Sequence, residues 1–268
     1  MSFDDNNNPR AGSSSPRSGP WGAPAPEPPA RPTLRAGRGA RSNRTRWLSV
    51  AFFVILLFGV GARAYRDLSR PEAWAYWRDL YFSPSMTSSL IADAEFGGPE
   101  RGRRALAISG TIGPAAASWF RDRLNEAHLA EGDAVLLSSP GGDLNQAIIM
   151  GEIIRARGLV TAVGAVDASN HVRPSYCASA CVLVYAGGKV RIGIDGSKLG
   201  VHRFVTRGSG HDPVAETQRT EGAVLGYMTR MGVSASVVEA MSATSEVRWL
   251  GAQEAAAMNL ITEPVGRP

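Results

Sequence analysis

Ser179 and His202 are the side chains in this chain whose types and order could run acyl transfer: a hydroxyl nucleophile, and an imidazole able to take its proton. Ser179 lies in Tyr176-Cys-Ala-Ser-Ala-Cys-Val-Leu-Val-Tyr-Ala-Gly-Gly188, a segment that also holds both cysteines of the chain. The apolar run Val182-Leu-Val-Tyr-Ala ending at Gly187-Gly188 predicts a short buried helix closed by glycine, with Ser179 in its first turn. There the hydroxyl meets unpaired backbone N–H groups and the positive end of the helix dipole, which favour a developing negative charge. A serine at a helix start also suits a plain N-cap. His202, between Val201 and Arg203, sits in an otherwise apolar predicted strand, and its value depends on its partners. The third feature is Ser139-Pro-Gly-Gly142 at the end of a predicted strand. Two glycines there open backbone conformations closed to other residues and point an N–H outward, where it could hold an oxyanion; as a lone tetrapeptide it is an ordinary turn.

Cys177 and Cys181 have no histidine at metal-ligand spacing beside them, so no zinc site is expected. Four residues apart on one helix, their Cα atoms would lie roughly 6 Å apart, within the range of a disulfide. Two packed thiols in a reducing compartment are the alternative.

The elements that would position these groups begin late in the chain. Residues 1–46 are rich in Pro, Asn, Ser, Gly and Arg, with almost nothing apolar larger than Ala, and are expected to be disordered. They hold eight arginines against Asp4, Asp5 and Glu27, a surplus that equals the whole net charge of +5 on the 268 residues. The remainder is balanced, so the pI of 9.6 gives no support for nucleic-acid binding by the folded part. Trp47-Leu-Ser-Val-Ala-Phe-Phe-Val-Ile-Leu-Leu-Phe-Gly-Val-Gly-Ala62 is a charge-free apolar run flanked by arginines, and residues 47–64 are expected to form a transmembrane signal anchor. A signal peptide cut after Ala62-Arg63-Ala64 is the competing expectation. The arginine excess ahead of the run predicts a cytoplasmic N-terminus and, in a bacterium, a periplasmic folded part held at the inner membrane. In that compartment the cysteines would be free to oxidise.

Pro71–Phe82 reads as a short aromatic helix that lies on the membrane surface, packs on the folded domain, or packs on a second copy. The polar residues 83–103 read as linker, making 65–103 a juxtamembrane helix and linker. From Arg104 the pattern alternates: strands at Ala105–Ser109, Ala134–Ser138, Leu159–Val163, 190–194 and Lys198–Phe204, helices at Pro114–Ala127, Asp143–Arg157, the Ser179 segment, Pro213–Met231, Ser234–Ser242 and Ala252–Met258, and a last strand at Leu260–Thr262. Such alternation implies an α/β domain over 104–268 with a mostly parallel sheet. No repeat, phosphate-binding loop or dinucleotide fingerprint is present.

Taken in order, Ser138-Ser-Pro-Gly-Gly142, Cys177-Ala-Ser-Ala-Cys181, His202 a little over twenty residues later, and Arg248-Trp-Leu-Gly-Ala-Gln-Glu-Ala-Ala-Ala-Met-Asn-Leu260 resemble the ClpP-like serine peptidases of the ClpP/crotonase superfamily. The resemblance covers roughly residues 104–264. The cysteine-bracketed serine and the anchor look like a periplasmic, membrane-anchored bacterial group of that family. It implies a spiral of β-α units, Ser179 as nucleophile, His202 as base, and the N–H groups of Gly142 and Ala180 as the oxyanion hole. It also implies a peptide or protein substrate, a homo-oligomer and no cofactor. One member does not transfer: the family's aspartate position is Val247. Glu246 is adjacent, but neighbouring strand residues face opposite sides, which leaves a Ser-His dyad or a triad completed by Glu246 in another loop conformation. A membrane-anchored serine hydrolase is therefore the expectation. A catalytically silent relative that binds peptide or scaffolds a membrane assembly is the alternative. Acyl-CoA chemistry of the crotonase kind fits less well, because it uses the two amides without a serine nucleophile and acts inside the cell.

Overall fold

A computed structural model describes residues 43–96, 102–169, 171–204 and 212–264. The expected disordered tail falls mainly on residues 1–42, outside the described residues. Its last four positions, 43–46, are instead helical, because α1 runs over Asn43–Leu68. Within it, Arg46–Leu68 is a 23-residue stretch of mean hydropathy 2.0, none of it buried. At 1.5 Å per residue that stretch is roughly 35 Å long, enough to cross a bilayer core. The helix thus continues past the charge-free run that sequence alone delimits.

Helix α2, Pro71–Trp77, opens with proline at its first turn and widens into a π-helical turn over Arg78–Phe82. It packs on the folded domain, one of the three placements left open by the sequence. Asp79 is buried, and its carboxylate accepts from the N–H of Ser85 at 2.8 Å and of Ala115 at 3.0 Å. The Tyr76 hydroxyl lies 3.0 Å from that of Ser118. A buried carboxylate needs such donors, so Asp79 ties the aromatic helix to the turn that starts the next one.

The main sheet has six strands: β1 (Met86–Ala94), β2 (Arg103–Gly110), β3 (Ala134–Ser138), β4 (Val160–Val163), β8 (Arg191–Gly193) and β11 (Glu263–Pro264), in that spatial order. All neighbours are parallel except β1 and β2, so the fold is mixed α/β with a mostly parallel sheet. Strand β1 corrects the expected linker. Its Met86 joins the large core and its Ile91 and Ala94 the smaller one, while the consecutive Thr87, Ser88 and Ser89 between them are exposed, as the edge position of β1 allows. The last strand lies two to three residues later than expected, and Thr262, just before it, donates its N–H to the Arg191 carbonyl of β8 at 3.0 Å while its hydroxyl accepts from the Arg191 N–H at 2.8 Å.

Helices α3 (Ala116–Ala127), α4 (Leu144–Ala156), α5 (Cys181–Ala186), α6 (Pro213–Arg230), α7 (Ser236–Ser242) and α8 (Ala252–Ala257) complete the domain, with β5 (Ala165–Val166) and β6 (Val172–Arg173) as a small hairpin. Successive residues of β2 and β3 serve opposite faces. Leu106, Ile108, Val135 and Leu137 join the large core, and Ala105, Ala107, Ala134 and Leu136 the smaller one. Every residue of α5 is buried in the large core. There Gly151 of α4 and Gly187 after α5 approach so closely that a Cβ on either would overlap the other helix's backbone or the Tyr227 ring.

A second sheet positions the chemistry. It consists of β7 (Tyr176–Ala178), β9 (Lys198–Val201) and β10 (Arg248–Leu250), in the order β10-β9-β7. Strands β7 and β9 are parallel, with Ala178 beside Gly200, and β10 runs antiparallel to β9. The expected Lys198–Phe204 strand therefore ends at Val201, and His202 is the first residue beyond it.

Candidate active site

Two neighbouring parallel strands end at the two side chains of interest. Ser179 follows β7 and His202 follows β9, and the Ser179 N–H donates to the Gly200 carbonyl at 2.8 Å. Strand neighbours lie about 4.8 Å apart, so the pairing itself carries the serine and histidine segments to one edge.

Ser179 is not in the first turn of a helix. It occupies a left-handed turn at φ 57° between β7 and α5, a conformation that costs a non-glycine residue about 1–3 kcal/mol and persists only where its surroundings enforce it. The enforcing contacts are the bond to Gly200, the Val182 N–H donating to the Ser179 carbonyl, and the cysteines. Cys177 is on β7 and Cys181 opens α5, so they do not share a helix. Their sulfurs are bonded across the turn, with Cα atoms 5.3 Å apart.

The glycine turn is built against that serine. Ser139 exchanges two backbone bonds with the β7 segment, its N–H donating to Tyr176 and its carbonyl accepting from Ala178, each at 3.0 Å. Gly141 and Gly142 have φ of 99° and 145°. A Cβ on Gly141 would come within 2.8 Å of the Ser179 Cβ and 2.9 Å of the Ala180 nitrogen, and one on Gly142 would overlap the Ile112 carbonyl. Only glycine fits so close an approach in these conformations. Asp143 then caps α4, accepting from the Gln146 N–H at 2.9 Å. Neither the Gly142 nor the Ala180 N–H has a hydrogen-bond acceptor among the described residues.

Gly142, Ala180, Ser179 and His202 line one cleft, together with Asp143, Leu144, Asn145, Phe204, Glu216 and Thr220. The imidazole Nδ1 is 2.7 Å from the carbonyl oxygen of Arg203. That oxygen can only accept, so Nδ1 carries the proton and Nε2 is left as the acceptor, the tautomer a general base needs. The Arg203 carbonyl is steadied in turn, since the Arg203 N–H donates to the Thr244 carbonyl at 2.8 Å. Among the described residues no hydrogen bond joins the Ser179 hydroxyl to the imidazole.

Among the described residues no hydrogen bond or ion pair joins Glu246 to the His202 ring. Glu246 is exposed in the turn before β10, where its N–H donates to the Thr244 hydroxyl at 3.2 Å and its carbonyl accepts from that hydroxyl at 3.0 Å. Val247 lies over Gly200. Should the cleft catalyse hydrolysis, Glu246→Gln is expected to change its rate by no more than about twofold, the scale of a neutral surface substitution. A loss of a hundredfold in kcat/KM would restore Glu246 to the site. Among the described residues no three His, Cys, Asp or Glu side chains gather in a way that could hold a metal ion.

Several groups here carry no signal in the sequence. The Arg203 carbonyl is main chain. Phe204, Glu216 and Thr220 reach the cleft from beyond the motif segments, the last two on α6, whose apolar pattern reads only as a packed helix.

No protein-family model matches the chain, and no curated protein matches it. Among solved structures it is similar to ClpP1 from Listeria monocytogenes, at 15% identity and a TM-score of 0.47, over 61% of this chain and 92% of that one. A point mutant of the same protein aligns at 15% identity and a TM-score of 0.48, over 61% and 91%.

Proposed function

We propose that the chain is a membrane-anchored serine hydrolase acting on peptide bonds. The observation that carries this reading is the pair of N–H groups on Gly142 and Ala180, without an acceptor among the described residues, flanking a serine held in a left-handed turn that shares one cleft with an imidazole whose Nδ1 faces the Arg203 carbonyl. Ser179 Oγ attacks the substrate carbonyl while His202 Nε2 takes its proton. The oxyanion that forms is received by the two amides, fixed donors that can stabilise the charge without solvent reorganisation. His202 returns the proton to the leaving amine, and water repeats the cycle on the acyl-enzyme. The Arg203 carbonyl, 2.7 Å from Nδ1, orients the ring, the task that an aspartate has in a complete triad. As a neutral acceptor it orients the imidazole while stabilising its cation less than a carboxylate would. The bonded cysteines tie the end of β7 to the start of α5 and so keep Ser179 aimed.

Gly142→Ala tests the oxyanion role. Its added methyl has no room beside Ile112, so the turn must shift and its amide move away. kcat is expected to fall by about 10²–10³, the cost of losing one oxyanion donor, while Ser179 still labels slowly. An alanine variant as active as the parent would exclude the Gly142 amide.

The anchored placement is supported by the 23-residue apolar stretch of α1 and the arginine surplus ahead of it. With the N-terminus cytoplasmic, the hydrolase domain would be periplasmic, where the cysteine pair can stay oxidised. A second reading, a catalytically silent peptide-binding or scaffold protein, is favoured by one observation: Ser179 and His202 are not hydrogen-bonded to each other. A fluorophosphonate probe decides between the two. Labelling of the parent chain but not of Ser179→Ala supports the hydrolase, and no labelling of the parent supports the silent relative.

A further inference from the structure

Among the described residues outside α1, exposed large apolar side chains are densest on the twelve residues of α2 and its π turn. Trp74, Trp77, Tyr81 and Phe82 are 60%, 40%, 66% and 74% exposed. They also pack on one another, Trp77 on Tyr81 with ring centroids 5.5 Å apart and 12° between planes, and Trp74 on Phe82 at 6.4 Å. A contiguous aromatic patch of this kind on a folded surface marks a place where something docks. The other side of the same stretch is already occupied, since Asp79 and Tyr76 bond it to the segments around Ser85, Ala115 and Ser118. The aromatic face is therefore rigidly attached to the α/β domain.

Its position in the chain and its charge say what covers it. The apolar stretch of α1 ends at Leu68, and α2 begins at Pro71, so the aromatic face is tethered within two residues of the proposed span. Tryptophan and tyrosine favour the headgroup level of a bilayer, where the ring is half buried and the polar edge stays wet. In the adjoining sequence the exposed Arg63, Arg66, Arg70 and Arg78 outnumber Asp67 and Glu72, and Asp67 pairs with Arg63 at 4.0 Å and Arg70 at 3.7 Å. That surplus would repel a second copy of the same face, and suits a layer of lipid phosphates.

We propose that the aromatic face of residues 71–82 seats in the headgroup layer of the bilayer that α1 spans, and so holds the hydrolase domain against the membrane surface. The proposal rests on the membrane reading of α1. It makes the membrane, through the Asp79 and Tyr76 contacts, the element that sets how the domain and its cleft are presented to substrate.

The test uses the full-length chain in lipid nanodiscs, as single-tryptophan variants that keep Trp47, Trp74, Trp77 or Trp249 and carry phenylalanine at the other positions. With brominated lipids, Trp74 and Trp77 are expected to lose fluorescence together with Trp47, while Trp249 on β10 keeps its own. Quenching of Trp47 alone would overturn the proposal and leave the anchor standing. An unquenched Trp47 would overturn the anchor and the proposal with it. Should any variant fail to fold, the unaltered chain gives the same answer with a diazirine near the lipid headgroup. Adducts on peptides covering both α1 and residues 71–82 are expected, and adducts confined to α1 would refute the proposal.

Discussion

Replacing Ser179 with alanine is expected to lower kcat for peptide or ester hydrolysis by about 10⁴ or more, and replacing His202 with alanine to cost nearly as much. Both numbers follow from the two groups acting as a unit. Without the hydroxyl there is no acyl-enzyme, and without Nε2 there is no acceptor for the proton that must leave as Oγ attacks. The double variant is therefore expected to be no worse than the worse single one. What remains in each case is the contribution of substrate binding and of the Gly142 and Ala180 amides. Both variants should fold normally, because Ser179 is held by its backbone bond to Gly200 and His202 lies beyond the end of β9. On the hydrolase reading, an imidazole oriented by a carbonyl and not a carboxylate is expected to make the parent chain slower than an enzyme with a complete triad. A His202→Ala variant retaining activity within about tenfold would remove the imidazole from the proton-transfer step.

Arg191→Met is expected to lower stability by about 3 kcal/mol or more, read as a fall in Tm of about 6–12 °C for a domain of this size. Arg191 is buried on β8, and among the described residues it pairs with no carboxylate. Its guanidinium instead donates to four carbonyl oxygens: Leu260 at 2.9 Å, Gly188 at 3.0 Å, Met231 at 3.2 Å and Asn259 at 2.8 Å. Those acceptors lie on the loop after α5, the turn after α6 and the segment after α8, so one side chain joins three separate stretches to the sheet. Burial holds the guanidinium pKa below its ordinary value, with Arg155 adding to the effect while Tyr185 and Tyr227 oppose it. Arg155 cannot fully substitute, because its own bonds go to Ala186 and Met231. Methionine fills similar volume but leaves the carbonyls of Leu260, Gly188 and Asn259 without their donor, and each unpaired buried acceptor costs about 1–3 kcal/mol. Arg191→Lys is expected to lie between the two, since a compact ammonium cannot spread over four acceptors. A Tm within about 2 °C of the parent for Arg191→Met would show that water or backbone shifts replace the donor.

The parts of this fold that were legible in the sequence are those in which burial is written into consecutive residues. Ala134–Ser138 is a strand at its expected bounds because it is an apolar run covered on both faces. Helices α4 and α6 follow their apolar periodicity and caps within a residue or two. Strand β1 was not legible, because its consecutive Thr87, Ser88 and Ser89 break the apolar alternation of a strand and its pairing partner, β2, lies beyond an intervening segment. Nor was the backbone of Ser179. Serine has no strong preference for the left-handed region, so that conformation comes from the tertiary bond to Gly200 and the cysteine pair. The order of glycine turn, serine and histidine could be read from residue types, but how the ring is oriented could not, because the acceptor for Nδ1 is the Arg203 main chain.

The central claim is that one hydroxyl, one imidazole and two main-chain amides surround a single reacting carbonyl. The measurement that tests it most directly is a crystal structure of the protein after reaction with a fluorophosphonate, in which Ser179 Oγ replaces fluoride on phosphorus. The account predicts a phosphonyl oxygen within hydrogen-bond distance of the Gly142 and Ala180 nitrogens, and His202 Nε2 within reach of Oγ. An adduct on Ser179 whose oxygen turns away from both amides, or an imidazole that stays remote from it, would contradict the account.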